Sequence, residues 1–350
     1  MAATTQHYRA LDAMRGVAAI AVLLFHLSWF VGYTSSGALA VDFFFMLSGF
    51  VIAHAYDARL GAGGMGFGDF LLKRLIRLYP LYLVGLALAV AAQLALVAAG
   101  HLEMSVADTA ESAMLEAAWL PSPFDGSLAR IFPLNGPAWS LFFEIVANLL
   151  FAAFHRRLTS PVLAAIAALS GLVIARGVMR HFSINIGWSW DTIGIGFARV
   201  FFAFPLGVLL HRHRARLPRL PAIGAWPLLA LLAAMLLCPE HRLTDLVFLF
   251  VACPLLVIAG AQAGTPDRPA SSPQLFAGLA LISYPLYVLH APAILPLRHL
   301  LDDVGWRAAA LPVALVYATA ITLVAIPVGR WDERVRARIT AAVRARAGLA

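Results

Sequence analysis

Apolar stretches of about eighteen residues or more recur along the whole chain, and no other feature narrows the possible folds as sharply. One such stretch, wound as a helix, crosses the hydrocarbon of a bilayer. Spread over 350 residues, they predict a bundle of membrane helices. The composition agrees: 61% hydrophobic, 13% charged and a mean hydropathy of +0.83, about half the charged fraction of a soluble domain. Soluble α/β, all-β and disordered folds are excluded. Windows of about twenty residues, punctuated by Pro, Gly and charge, predict an all-α polytopic protein of about ten spans. They lie near 10–32, 40–58, 78–99, 137–154, 161–176, 192–211, 222–238, 244–263, 276–297 and 306–328.

The charges orient these spans. All 26 bases but Lys73 are arginine, against 18 acids. With the N-terminus in the cytoplasm, 19 bases fall on inner segments, while Arg130, Arg176, Arg180, Arg242, Arg298 and Arg307 fall outside and Arg199 lies within a span. The excess of inner bases predicts that both termini are cytoplasmic, and it explains the basic balance without nucleic acid as a partner. Residues 1–328 read as one transmembrane domain and 329–350 as a basic cytoplasmic tail lying on the membrane surface and drawn to anionic lipid. Ala38-Leu39-Ala40 has the look of a signal-peptidase site, but the apolar segment before it is too long for a signal core, so no cleavage is expected. The longest outer segment, 100–136, carries Glu103, Asp108, Glu111, Glu116 and Asp125 and is expected to form an amphipathic helix and loop on the outer surface. Cys238 and Cys253 suggest neither a disulfide framework nor a metal site, and no metal is expected.

An ionisable side chain inside a bilayer is costly and usually faces a cavity or a partner, so each is a functional candidate. His26 lies about six residues from the outer end of the first span, roughly 9 Å deep at ~1.5 Å per residue. Glu144, Arg199 and His290 fall near the same depth, with Asp42 shallower. A carboxylate near a histidine fixes its tautomer and stabilises its imidazolium, as a base acting on a hydroxyl requires. His26 supported by Glu144 is therefore the candidate catalytic pair. Arg199 reads at least as well as an ion-pair partner of Glu144 or Asp42 as it does as a direct catalytic residue, and His290 as a substrate contact or a packing residue. Arg74 and Arg77 precede the third span at the inner surface, three residues apart and so on one helical face.

Five motifs, in order, resemble the acyltransferase family 3 membrane proteins. They are Tyr8-Arg9-Ala10-Leu11-Asp12-Ala13-Met14-Arg15-Gly16 followed by His26; Val41-Asp42-Phe43-Phe44-Phe45-Met46-Leu47-Ser48-Gly49-Phe50; Arg74-Leu75-Ile76-Arg77-Leu78-Tyr79-Pro80; Asn135-Gly136-Pro137-Ala138-Trp139-Ser140-Leu141-Phe142-Phe143-Glu144; and Ser283-Tyr284-Pro285-Leu286-Tyr287-Val288-Leu289-His290. The resemblance runs from about residue 7 to 328. It implies transfer of an acyl group, usually acetyl, from cytoplasmic acyl-coenzyme A (acetyl-CoA) to a hydroxyl of a glycan or lipid-linked saccharide, in the inner membrane of a bacterium. It further implies donor binding by Arg74, Arg77, Arg15, Ser140 and Trp139, with Asp12, Asp42, Ser48, Arg199, Tyr284, Tyr287 and His290 contacting substrate or supporting the site. Larger relatives carry a C-terminal extracytoplasmic hydrolase-like domain. This chain is expected to act without one, alone or with a separate partner protein. Two other readings stay open from the residues alone: a transporter or channel whose His, Glu and Arg line a path, for which inverted repeats would speak, and an envelope scaffold in which they join helices.

Overall fold

A computed structural model describes residues 8–101, 104–124, 130–221, 223–263 and 273–346. Glu103, Asp125 and Arg268 lie outside the described residues. Within them the chain is helical, with no strand and two isolated bridges, Ser35 to Pro239 and Arg130 to Ser189. The principal helices are α1 (Arg9–His26), α2 (Ser36–Gly61), α3 (Phe67–Ala98), α4 (Val106–Ala117), α5 (Ala138–Phe154), α6 (Ser160–His181), α7 (Ile193–Arg212), α8 (Ala225–Leu237), α9 (Arg242–Gln262), α10 (Pro273–Leu289), α11 (Ile294–Asp303) and α12 (Ala310–Arg346).

Each apolar window falls on a helix, but among the described residues six helices are long and apolar enough to cross a membrane: α2, α3, α6, α7, α9 and α12. The number is seven if α10 and α11, bent by 59° at the break between them, form one span. α5 and α8 are shorter apolar helices, and α1 carries Arg9, Asp12 and Arg15 at its start. Two helices differ in extent from expectation. α3 begins at Phe67, so Arg74 and Arg77 lie inside it rather than before it. α12 runs unbroken to Arg346, so the basic segment continues the helix rather than folding flat from 329.

Small residues let the helices meet closely, as they do where lipid supplies no hydrophobic drive between helices. α1 packs along α10, and α2 along α7. At the second crossing the contact is reciprocal: a Cβ on Gly49 would sit 2.0 Å from the Phe204 carbonyl oxygen, and one on Gly207 2.0 Å from that of Met46. This crossing also holds an ion pair. Arg199 and Asp42, both 0% exposed, are joined by Nε to Oδ1 at 3.0 Å and Nη2 to Oδ2 at 2.7 Å, and Arg199 also donates to the carbonyls of Ile186 and Ala38.

The outer segment is more than a surface feature. Glu116 of α4 is buried and accepts the backbone N–H groups of Leu134 and Asn135. Burial pushes its carboxyl up to about 7 against the pull of those two donors. Tyr82 donates to the Glu116 carbonyl, Tyr79 to that of Ala117, and Asn135 Nδ2 to that of Val288. These bonds pin the loop before α5 onto α3 and α10, which sets where Trp139, Ser140 and Glu144 fall.

Candidate functional site

Two cavities open from the two ends of α1. The first, of about 280 Å³, is lined by Asp12 and Arg15 of α1, Ser48 of α2, Arg74 and Arg77 of α3, Ser140 and Glu144 of α5, and Tyr284 and Tyr287 of α10. A further hollow continues it past Asp12, Arg15, Arg77 and Tyr284 to Asp332, Glu333 and Arg336 of α12. The start of α1 and the late part of α12 are thus at one end of the bundle. The second cavity, of about 420 Å³, lies at the other end, with His26, Trp139 and Arg298 in its wall. Arg15 and His26 are eleven residues apart, roughly 16 Å along α1.

In the first cavity Arg74, 7% exposed, donates from Nη2 to Glu144 Oε1 at 3.0 Å, and Ser48 Oγ donates to the same oxygen at 2.7 Å. Arg74 is therefore not an inner-surface charge. Its neighbour three residues on, Arg77, opens onto both the cavity and the hollow beyond, as one helical face requires. Ser140 Oγ and Tyr287 Oη lie 2.5 Å apart, and Tyr287 also donates to the Pro137 carbonyl at 3.1 Å. Pro137 and Trp139 line the second cavity, while Ser140 and Tyr287 line the first. The Ser140–Tyr287 contact is the partition between them.

In the second cavity the geometry around His26 fixes its proton. Its Nδ1 lies 2.9 Å from the Val22 carbonyl oxygen and 3.2 Å from His290 Nε2. His290, fully buried, places its own Nδ1 3.0 Å from the Leu286 carbonyl, and its carbonyl accepts from Tyr317. A carbonyl oxygen only accepts, so hydrogen-bond chemistry assigns the proton of each ring to Nδ1. His290 Nε2 then accepts from His26, and His26 Nε2 keeps its lone pair.

These positions correct several expectations. Glu144 does not support His26: its carboxylate is engaged by Arg74 and Ser48 in the other cavity, and His290 with Val22 holds the imidazole instead. Trp139 does not join Ser140 in the first cavity but lines the second. The two are adjacent on a helix and so point about 100° apart, and the Arg199 guanidinium lies over the Trp139 ring. Asp42 and Arg199 line neither cavity. His290 reaches the site only through His26. The expected grouping that does come together is Asp12, Arg15, Ser48, Arg74, Arg77, Ser140, Tyr284 and Tyr287, with Glu144. Sequence reasoning missed Arg336, which looked like one more inner-face base, and Glu116, which looked like a surface acid.

Residues 8–330 match the acyltransferase domain of family 3. The chain belongs to this acyltransferase family. It is similar to Protein 2 in the picA locus of Rhizobium radiobacter, 39% identical over 173 residues, which cover 47% of this chain and 91% of that protein. It is also similar to YrhL of Bacillus subtilis (strain 168), named for peptidoglycan O-acetyltransfer, 35% identical over 80 residues, 22% of this chain and 12% of that one. No solved structure matches. The chain is a membrane protein of six or seven apolar spanning-length helices and an O-acyltransferase.

Proposed function

We propose that this acyltransferase takes acyl-CoA, acetyl-CoA in the first instance, from the cytoplasm into the first cavity and passes the acyl group to a glycan hydroxyl held in the second. The observation that carries the reading is the pair of cavities at opposite ends of α1: one is lined by Arg15, Arg74 and Arg77, the other by His26. In it, about ten helices cross or enter the inner membrane of a bacterium, α1, α5 and α8 among them, with both termini cytoplasmic. The shared position of the start of α1 and the late part of α12 supports that arrangement.

Coenzyme A is polyanionic at its nucleotide end and thin along its pantetheine arm. Arg15, Arg77 and Arg336 at the inner mouth suit the phosphates, since guanidinium meets phosphate in charge-assisted, often bidentate bonds. The arm then runs through the first cavity towards the Ser140–Tyr287 partition. Opening of that contact brings the thioester to His26. There Nε2 takes the acceptor's hydroxyl proton as the oxygen attacks the thioester carbonyl. The tetrahedral intermediate collapses with cleavage of the C–S bond, and the departing thiolate recovers the proton from the imidazolium. Glu144 acts in this reading by holding Arg74 and Ser48 around the arm.

Arg77→Ala should raise the KM for acyl-CoA about tenfold, because a hydrogen bond to a charged group contributes ~1.5–3 kcal/mol, and leave kcat within about threefold. Initial rates in membranes against donor concentration measure it; an unchanged KM removes Arg77 from the donor site. The function itself is tested by mass spectrometry of envelope and secreted glycans from cells with and without the protein. An added mass of one acetyl group per modified residue supports the reading, a larger added mass changes the donor, and unmodified glycans overturn the glycan acceptor.

A further inference from the structure

The second cavity differs from the first in its charge. The first mixes arginines with Asp12 and Glu144. The second is lined by Arg130, Arg298 and His26, and among the described residues no aspartate or glutamate faces it. Walls of one sign with low-dielectric surroundings focus a potential on whatever enters. Three tryptophans complete the wall: Trp29, Trp139 and Trp188. The Arg298 guanidinium lies 4.7 Å from the centre of the Trp29 ring and forms a loose ion pair with Asp302, Nε to Oδ2 at 3.9 Å, too long for a hydrogen bond. Gln93, on α3, is a second and independent sign of a ligand. It is 8% exposed, lines the cavity, and its Nε2 has no hydrogen-bond partner. A buried amide donor without an acceptor is costly, and a ligand hydroxyl or carbonyl would supply one.

We propose that this cavity selects a saccharide carrying an anionic group, a carboxylate or a phosphate, close to the hydroxyl that is acylated. The inference rests on the reading of His26 as the base. A sugar ring presents a face of C–H groups to an indole, whose face is the negative part of its quadrupole. Its hydroxyls offer acceptors to Gln93, and its anion meets Arg298 and Arg130. The volume, about 420 Å³, is within the usual range of small-ligand sites. Arg298 and Gln93 are binding residues here and take no part in the proton transfer.

The test is calorimetric titration of the full chain in lipid nanodiscs with two matched pairs of probes: trigalacturonate and its carboxyl-reduced trisaccharide, and N-acetylglucosamine 6-phosphate and N-acetylglucosamine. At least one charged probe should bind about tenfold or more tighter than its neutral partner. In Arg298→Gln that advantage should fall below about threefold, and Gln93→Leu should weaken both members of the pair alike. A preference confined to the uronate names a carboxylate, and one confined to the sugar phosphate names a phosphate. Equal affinities within both pairs, no binding of any probe at about 10 mM, or a preference that survives Arg298→Gln with Arg130→Gln overturns the proposal. Binding needs no turnover. A charge preference in a protein that transfers nothing would therefore sink the enzymatic mechanism and leave only an anion-selective saccharide site with no acylated hydroxyl beside it, while transfer without the preference would keep the mechanism and sink this inference.

Discussion

His26→Ala should reduce acyl transfer to about 1% of the wild-type rate or less while the protein still inserts and folds. A positioned general base contributes about 10²–10⁴-fold, and the tautomer set by Val22 and His290 leaves Nε2 as the basic nitrogen of His26, which lines the second cavity. The fold should tolerate the change. His26 is the last residue of α1 and half-buried, alanine is a good helix former, and the lost contacts are the two that Nδ1 makes with Val22 and His290, worth about 1 kcal/mol each. Acetylated product is to be measured alongside the amount of monodisperse protein recovered from membranes. Transfer within about threefold of wild type would end the role of His26 as base.

The second large effect is on stability. Arg199→Ala strands the Asp42 carboxylate at 0% exposure and removes donors from Ala38 and Ile186. Breaking one side of a buried ion pair costs about 3–5 kcal/mol, a large fraction of the ~5–15 kcal/mol that holds a typical domain together. The variant should aggregate on extraction or lose several degrees in melting temperature. Removing both charges, with Asp42→Leu added to Arg199→Met, should recover part of the loss, because no uncompensated ion remains. Neither side chain lines either of the two cavities described, so the double variant should also retain transfer. A single variant as stable as wild type would show that the pair does not hold the α2–α7 crossing; a stable, inactive double variant would return Arg199 to the reaction.

What was legible beforehand follows from what a chain records about each helix separately. Apolar length, punctuation and charge bias marked the helices and their polar residues, and depth could be counted along each one. Azimuth could not. Glu144 and His26 shared a depth by counting, yet face different cavities. Arg199 had two carboxylates at hand and took Asp42, because the Gly49 and Gly207 contact draws α2 against α7 and brings the pair together. Trp139 and Ser140 travel in one motif but turn to opposite cavities. The boundary of α3 misled as well: Leu78 begins its most apolar stretch, but the helix starts a full three turns earlier, which carried Arg74 from the surface into the core. Glu116 was beyond reach, since the donors that hold it, Leu134 and Asn135, are backbone groups that any residue would carry.

The partition at Ser140 and Tyr287 has a consequence for the cell as well as for the reaction. On the proposed function the enzyme is hollowed from both faces of an energised membrane and is a potential short circuit: file the two hollows together and protons or sodium ions run down their gradient. Two hydroxyls at 2.5 Å, backed by the Pro137 carbonyl, stand between the residues that line the two hollows. If the thioester crosses here as proposed, the motion that admits it must be brief or must plug the opening with the donor itself, so that the enzyme would work as an airlock rather than a corridor and keep the membrane voltage through each turnover.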